Sequence, residues 1–204
     1  MFSTKKLIAA LLKKPYSQYQ LSTYDSTRPV KVVIGSGFTF DKDWILTDIE
    51  TLNILKRRDW AAYFPENSID RILAEHVWEH FTEEQGKLAF TNCHTFLKPG
   101  GTLRVAVPDG FQPSAQYIEM VKIGGTGDGA DDHKMLYTYQ SMSAMLEEIG
   151  FKVHLLEYFD ENGSFHKSPW KKEDGMILRS AENDSRNQNG ELNYTSLIID
   201  AQKQ

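Results

Sequence analysis

Cysteine is nearly absent from this sequence: Cys93 is the only one among 204 residues. A single thiol excludes an intramolecular disulfide, so the apolar core must hold the fold together. This cysteine usage suits a reducing compartment, and we expect a cytoplasmic protein. Because Cys93 lies between apolar positions of a predicted helix, we predict that it is a buried, structural thiol.

Long hydrophobic runs are also missing. No stretch approaches the roughly 18 apolar residues that a membrane-spanning helix needs. The N-terminus "MFSTKKLIAALLKK" has an apolar centre of six residues, which is short for a secretory signal. We predict a short amphipathic helix there, with Leu7, Ile8, Leu11 and Leu12 on one face, that docks on the domain or covers its site, with attachment to a membrane surface as a weaker alternative.

The chain has no excess of positive charge, since its formal net charge is −5. A phosphate backbone favours a basic partner, so this balance argues against a duplex nucleic-acid ligand. Hydrophobic residues make up 40% and charged residues 25% of the sequence, which is ordinary for a soluble globular domain. We therefore expect a small-molecule substrate, whereas the sequence does not indicate an oligomeric state.

Strand-like segments alternate with helix-like segments in the middle of the chain, which favours a parallel α/β sheet. The last two predicted strands follow each other without a helix, which suggests an antiparallel hairpin at an edge. We predict one domain over 30–204, preceded by a helix and lead-in over 1–29. The predicted strands are 31–37, 44–50, 69–75, 102–109, 151–159 and 194–202. The predicted helices are 80–97, with Thr82 as a candidate N-cap, and 137–150, closed by Gly150.

Two segments, about 110–136 and 160–193, are predicted to be insertions. The first contains the glycine-rich stretch "KIGGTGDGADDH", and the second is long and polar. Long ordered loops in compact domains are often functional, although solvent-exposed connections are the alternative for both. The second insertion carries His166, Trp170, Lys171, Lys172, Arg179 and Arg186, which would suit a sugar or an anionic substrate or a solvated surface equally well.

Several polar groups follow the predicted parallel strands directly. They are Gly35-Ser36-Gly37, Asp48, Glu75-His76 and Asp109. Ligands of open parallel sheets bind at the carboxyl ends of the strands, so we expect these groups to form one site. A glycine turn lets backbone approach a ligand, and an acid at the next strand end can accept both hydroxyls of a ribose.

The segments "VVIGSG", "LTDIE", "FPENSIDRILAEHVWEH" and "LKPGGTLRVAVPD" resemble, in this order, the class I S-adenosylmethionine-dependent methyltransferases, and most of all the small bacterial methyltransferase type 11. The resemblance covers about residues 30–110 in motif detail. It implies an α/β Rossmann-like three-layer sandwich with a mostly parallel seven-stranded sheet and an antiparallel C-terminal edge hairpin. It also implies S-adenosylmethionine as the cofactor.

The same resemblance assigns roles to individual residues. Gly35, Ser36 and Gly37 would line the methionine part of the cofactor, and Asp48, with Ile49 beside it, would hold the ribose hydroxyls. Asp59 and Trp60 match the place where the family contacts adenine. Glu75 and His76 would lie next to the sulfonium. The motif departs from the family at Val33, where an acid is usual, and at Thr39, where a third glycine is usual.

The candidates for catalysis are His76, Asp109, His133 and Tyr137. A histidine can act as the general base for a hydroxyl acceptor, and His76 and His133 are the candidates for that role. The letters His76-Val77-Trp78-Glu79-His80 also spell H-x-x-E-H, the pattern of inverted zinc metallopeptidases, provided that the residues lie on one helix. Because His76 comes directly after a predicted strand, we predict no metal site and keep the zinc hydrolase as a minor alternative.

Together these patterns predict methyl transfer from S-adenosylmethionine to an oxygen, nitrogen or carbon of a small-molecule or sugar-type acceptor. A non-catalytic cofactor-binding domain of the same fold is a second alternative. It is motivated by Val33, Thr39 and the short distance of 13 positions from Gly35 to Asp48, where about 20 is typical.

Overall fold

The computed structural model describes the backbone of residues 4–37, 43–188 and 191–204, and the side chains of these ranges from residue 13 onward. The predicted third-glycine position Thr39 and the predicted apolar helix face at residues 7–12 therefore lie outside the described side chains. The helices are α1 Thr4–Thr23, α2 Arg57–Ala61, α3 Glu83–Phe96, α4 Ala115–Val121 and α5 Tyr139–Ile149. The strands are β1 Lys31–Ile34, β2 Ile45–Leu46, β3 Ile69–Glu75, β4 Leu97–Pro108, β5 Phe151–Phe159, β6 Phe165–Lys167 and β7 Ser196–Lys203.

The strands form one seven-stranded sheet with the order β2-β1-β3-β4-β7-β5-β6. The four strands β1 to β4 pair in parallel, whereas β7 is antiparallel to both of its neighbours and β6 is antiparallel to β5. The predicted fold class, a Rossmann-like α/β sandwich with antiparallel strands toward one edge, is confirmed. The last strand, β7, is not at the edge of the sheet. It lies between β4 and β5, and the short β6 forms the edge.

Local sequence signals placed several boundaries correctly. Thr82 caps α3 by accepting from the backbone N–H of Gln85, whose side chain in turn accepts from the backbone N–H of Thr82. Gly150 closes α5 with φ of 105°, a left-handed conformation that glycine adopts without strain. The predicted strand 69–75 matches β3. Cys93 is fully buried in α3, as predicted.

The strand predicted over 44–50 is much shorter than expected. Strand β2 ends at Leu46, because the backbone N–H groups of Thr51 and Leu52 both donate to the carbonyl of Asp48 and turn the chain. The strand predicted from residue 102 is longer than expected. Strand β4 starts at Leu97, and its Lys-Pro-Gly-Gly segment lies where the register with β3 is irregular.

Helix α1 packs against the edge strand β2. Gln20 donates to the carbonyl of Trp44 at 2.9 Å and accepts from the backbone N–H of Leu46 at 3.0 Å. These bonds satisfy backbone groups on the open side of β2, which would otherwise be an unpaired sheet edge. None of the helices in the described ranges is both long and apolar enough to cross a membrane.

The second insertion is held by buried charged side chains. Arg104 is 1% exposed and binds Asp200 through two nitrogens, and it donates to the carbonyls of Lys171 and Gly175 at 2.8 and 2.6 Å. Glu157 is fully buried and accepts from the backbone N–H of Ala181 at 2.7 Å. Such buried groups require partners, so these bonds fix the path of the insertion across the sheet.

Candidate functional site

The carboxyl ends of β1 and β3 open onto a cavity of about 730 Å³, which we call the larger cavity. This volume lies within the range of small-molecule sites. A second cavity of about 280 Å³, the smaller cavity, lies at the end of β2 and shares Gly37 with the first. The larger cavity is lined by Val33–Gly37, Leu73, Glu75, His76, Met176, Leu178, Arg179 and 183–186, and the smaller by Lys13, Lys14, Ser17, Gly37 and 48–51.

The glycine turn after β1 forms one wall of the larger cavity. Gly35 and Gly37 have φ of 61° and 54°, a region that disfavours other residues. A Cβ atom on Gly35 would lie 2.6 Å from Cγ2 of Val77, so close packing as well as backbone conformation requires glycine there. Ser36 donates its backbone N–H to the carbonyl of Thr47 at 2.9 Å, and its buried Oγ has no hydrogen-bond partner among the described residues.

Asp48 follows β2 at the wall of the smaller cavity. One of its carboxylate oxygens accepts from the backbone N–H of Ile49 at 2.9 Å, and the other accepts from Nζ of Lys13 on α1. The side chain of Asp48 remains 39% exposed. The Ile49 side chain is 71% exposed, which leaves an apolar surface beside the carboxylate.

Glu75 ends β3 and binds the second insertion. Its two carboxylate oxygens accept from the backbone N–H groups of Leu178 and Arg179 at 2.9 and 2.8 Å. The guanidinium of Arg179 lies 3.3 Å from the same carboxylate. Glu75 therefore fixes the wall of the larger cavity that the insertion supplies.

His76 lies at the rim of the larger cavity with both ring nitrogens in contact. Its φ of 56° is unusual for a non-glycine residue and turns the chain sharply at the end of β3. Nε2 lies 2.9 Å from Oγ of Ser196, and Nδ1 lies 3.0 Å from Oε1 of Glu79. Because a carboxylate cannot donate, this arrangement favours the tautomer with the proton on Nδ1, so that Nε2 accepts from Ser196.

Glu79 is buried, and its side chain is 1% exposed. Burial by itself raises the pKa of the Glu79 carboxyl, but the contact with His76 and the attraction of that ring when it is protonated outweigh burial and leave the pKa below its usual value. The structure therefore favours an ionised Glu79 against His76. A carboxylate in this position holds an imidazole in one orientation and stabilises its protonated form.

Residues 46–105 match a family model described as a methyltransferase domain. The matched segment lies within the part of the chain that contains β2, β3, α3 and most of β4. This match supports the predicted resemblance to the class I S-adenosylmethionine-dependent methyltransferases, with S-adenosylmethionine as the cofactor. By sequence, the chain matches none of the curated proteins.

Solved structures of methyltransferases share this fold. An S-adenosylmethionine-dependent methyltransferase from Mesorhizobium loti aligns with a TM-score of 0.52 and 12% identity over 85% of this chain and 90% of the other. A possible histamine N-methyltransferase from Thermotoga maritima aligns with a TM-score of 0.50 and 12% identity over 98% of this chain and 93% of the other. At these identities the likeness concerns the fold alone.

The residues at the two cavities fit the cofactor of a methyltransferase. The buried, unpartnered Oγ of Ser36 lies in the glycine turn, where a polar ligand would satisfy it. Asp48 offers carboxylate oxygens to ribose hydroxyls at the smaller cavity, although Lys13 already contacts one of them. Since Gly37 lines both cavities, a ligand that spans them would pass the glycine turn.

Asp59 and Trp60, the two residues predicted to contact adenine, both lie on α2. Neither residue lines the larger or the smaller cavity. The Trp60 ring is fully buried, stacks on Phe96 with centroids 5.4 Å apart and donates to the carbonyl of Ile54. The Trp60 ring is therefore part of the apolar core. Only the backbone of Trp60 is left for the predicted contact with adenine.

Asp109 and Tyr137, two of the predicted catalytic residues, are buried and line neither cavity. The Asp109 carboxylate accepts from the backbone N–H groups of Phe111 and Phe159 at 3.0 and 2.7 Å. Burial raises the pKa of Asp109 to about 6, although these two bonds lower it in part. Burial also raises the pKa of Tyr137 above its usual value. Both residues are thus part of the buried interior, and their catalytic roles remain predictions.

The H-x-x-E-H letters do not form the helix that a zinc peptidase requires. Trp78–His80 is a single 3₁₀ turn, and His76 precedes it in a left-handed conformation. The i,i+4 pair of imidazoles on one helix face, on which the zinc hydrolase alternative depended, is therefore absent. His133, another predicted catalytic residue, lies against His80 with ring centroids 5.0 Å apart and lines neither cavity.

Sequence reasoning missed two residues that contact the candidate site. Ser196 lies 120 positions from its partner His76 and begins a strand, so no local pattern indicates it. Lys13 lies on α1, 35 positions from its partner Asp48. Only the pairing of β4 with β7 and the docking of α1 reveal these contacts.

Proposed function

We propose that the methyltransferase methylates a hydroxyl group of a small polar acceptor, such as a sugar-type molecule, bound in the larger cavity. The observation that carries this proposal is His76, held between Glu79 and Ser196 at the rim of that cavity. It provides a general base beside the glycine turn that the methyltransferase resemblance assigns to the cofactor.

Cofactor binding in this proposal uses the two adjoining cavities. Ser36 and the turn glycines bind the amino-acid part, and the Asp48 carboxylate accepts the ribose hydroxyls with Ile49 against the base. When bound, S-adenosylmethionine supplies an electrophilic methyl group on a sulfonium sulfur. The protein positions the acceptor oxygen in line with that methyl group, and this positioning accounts for much of the rate enhancement.

His76 takes up the proton of the acceptor hydroxyl at Nε2. In the resting arrangement Ser196 occupies Nε2 at 2.9 Å, so the acceptor hydroxyl replaces that contact when it binds. As Nε2 gains the proton, the ring becomes a cation, and the buried Glu79 carboxylate 3.0 Å from Nδ1 stabilises it. A base of this kind contributes about 10²–10⁴-fold to a proton transfer.

One part of the wall that the second insertion contributes is polar, which supports a hydroxyl-rich acceptor, whereas Met176 and Leu178 are apolar. Asn183, Asp184, Ser185 and Arg186 line the larger cavity. Arg186 is oriented by Asp184 at 2.5–2.8 Å and lies over the Tyr194 ring at 3.4 Å from its centroid. These groups offer donors and acceptors to several hydroxyls. By contrast, Trp170 stacks on Arg104 and donates to Glu157, so it is part of the insertion's anchor.

The test is transfer of a labelled methyl group from S-adenosylmethionine to a panel of monosaccharides, nucleotide sugars, phenols, amines and carboxylic acids. We expect an oxygen-methylated sugar-type product, and we expect His76→Gln to lower kcat by about 10²-fold or more while S-adenosylhomocysteine still binds. The matched control is His166→Gln, which removes an exposed histidine that pairs with Asp160 outside the cavity. Full activity of His76→Gln, or transfer to amines alone, would contradict the proposal.

A further inference from the structure

A cluster of side chains that could bind a metal ion adjoins the candidate site and shares Glu79 with it. Glu79, His80 and His133 each offer a ligand atom, and these three atoms lie within 4.8 Å of one another. Glu79 is fully buried, His133 is 8% exposed and the His80 side chain is 32% exposed. We propose that these three residues form a binding site for a divalent transition-metal ion.

The buried polar atoms of this cluster lack ordinary partners. Within the described ranges, the two carboxylate oxygens of Glu79 make no hydrogen bond, and Nδ1 of His80 makes none either. The contact given for this carboxylate is the ion-pair contact of Oε1 with Nδ1 of His76 at 3.0 Å. A buried carboxylate without hydrogen bonds is unfavourable, and a bound cation would stabilise it in addition to the contact with His76.

His133 is oriented as metal-binding histidines are. Its Nδ1 lies 2.8 Å from the carbonyl oxygen of Val121, and because a carbonyl only accepts, Nδ1 carries the proton. The lone pair of the neutral ring is then on Nε2, which remains available to a ligand. Histidines that bind metals usually donate their other nitrogen to a carbonyl or carboxylate in this way.

The backbone brings the two contributing segments together without a metal. The carbonyl of Glu79 accepts from the backbone N–H groups of Lys134 and Met135 at 2.7 and 3.2 Å. These bonds join the turn after β3 to the end of the glycine-rich insertion. The exposed carboxylate of Asp132 lies 3.5 Å from Nδ1 of His80. It could supply an additional oxygen ligand to a bound ion.

Two imidazoles and one carboxylate indicate the class of ion. This ligand set suits Zn²⁺, Co²⁺, Mn²⁺ or Fe²⁺, whereas Ca²⁺ and Mg²⁺ prefer oxygen ligands. Zinc–ligand distances near 2.0–2.1 Å place neighbouring ligands about 3.3 Å apart, so the three donor atoms must draw together on binding. His76 is not a ligand in this proposal, because its nitrogens contact Glu79 and Ser196.

Titration of the full-length, chelator-treated protein with Zn²⁺ and Co²⁺ tests the proposal, with calorimetry for stoichiometry and visible absorption for the cobalt coordination. We expect one ion per chain, and a cobalt spectrum distinct from that of the aqueous ion. His133→Gln should weaken zinc binding by at least about 100-fold, the upper end of the loss seen when a ligand's supporting group is removed. His80→Gln should weaken it as well.

The control is His166→Gln, which removes an exposed histidine elsewhere on the surface and should leave zinc binding unchanged. Circular dichroism and S-adenosylhomocysteine binding verify that each variant is folded, and they separate this result from the proposed methyl transfer. If His133→Gln does not fold, His80→Gln carries the test, since its side chain is more exposed. Sub-stoichiometric binding, or equal affinity in wild type and the cluster variants, would overturn the proposal.

Discussion

The buried carboxyl of Asp109 should make the stability of the protein depend on pH in an uncommon direction. Asp109 is fully buried, and its carboxylate accepts two backbone hydrogen bonds, from Phe111 and Phe159. Burial raises its pKa from 3.8 to about 6, against the opposing effect of these bonds. In the unfolded chain the carboxyl has its ordinary pKa, so the folded state binds the proton more tightly.

The sign and size follow from proton linkage. Because the folded pKa is the higher one, this group favours the folded state most below about pH 4 and loses that contribution as the pH rises through about 6. A difference of about two pKa units corresponds to roughly 3 kcal/mol at the limit, and to roughly 2–3 kcal/mol between about pH 7 and about pH 4. Asp109→Asn removes the titration, and it also leaves one backbone N–H without an acceptor at every pH.

Urea unfolding of the wild type and of Asp109→Asn, at intervals from about pH 4 to about pH 7, measures this contribution. The difference in unfolding free energy between the two proteins should grow by roughly 2–3 kcal/mol as the pH falls. The control is Asp25→Asn: the bonds from Thr27 lower the pKa of this exposed carboxyl, so its main titration lies below this interval. A difference for Asp109→Asn that stays constant with pH would refute the reasoning.

Two further predictions concern packing at the site and the anchor of the second insertion. Gly35→Ala should destabilise the protein by about 2–3 kcal/mol, because Ala is strained at φ of 61° and its Cβ meets Val77. In urea unfolding, a double-mutant cycle with Val77→Ala should show coupling between the two positions. Purely additive effects would contradict the contact. Glu157→Gln should destabilise the protein by about 1–3 kcal/mol, because one amide oxygen cannot replace both carboxylate oxygens toward Trp170 and Thr195. Proteases should then cut the second insertion faster than in the wild type. An unchanged cleavage rate would contradict the role of Glu157 in anchoring the insertion.

The sequence was informative where the signal is local. A capping residue such as Thr82 or a terminal glycine such as Gly150 acts within one turn of its own helix, so the helix ends could be predicted. Polar residues after buried parallel strands converge by topology alone, which is why Gly35, Glu75 and His76 were expected together and all line the larger cavity.

Contacts between distant segments could not be predicted in the same way. The pattern placed Glu75 at the sulfonium, but its carboxylate binds backbone groups more than 100 positions away in the insertion. Trp60 matched a cofactor position by spacing, yet the packing of α2 turns its ring into the core. The charged anchor at Arg104 had no signal, since an arginine within a strand is usually expected at the surface.

The most direct test of the account is calorimetric titration of the full-length protein with S-adenosylhomocysteine, compared with Asp48→Ala and with the distant control Asp25→Ala. The account predicts saturable one-to-one binding that Asp48→Ala weakens by about 10–100-fold, the value of one hydrogen bond to a charged group, and that Asp25→Ala leaves unchanged. Absence of binding at millimolar ligand, or equal affinity for wild type and Asp48→Ala, would contradict the assignment of the cofactor to the two cavities that adjoin at Gly37.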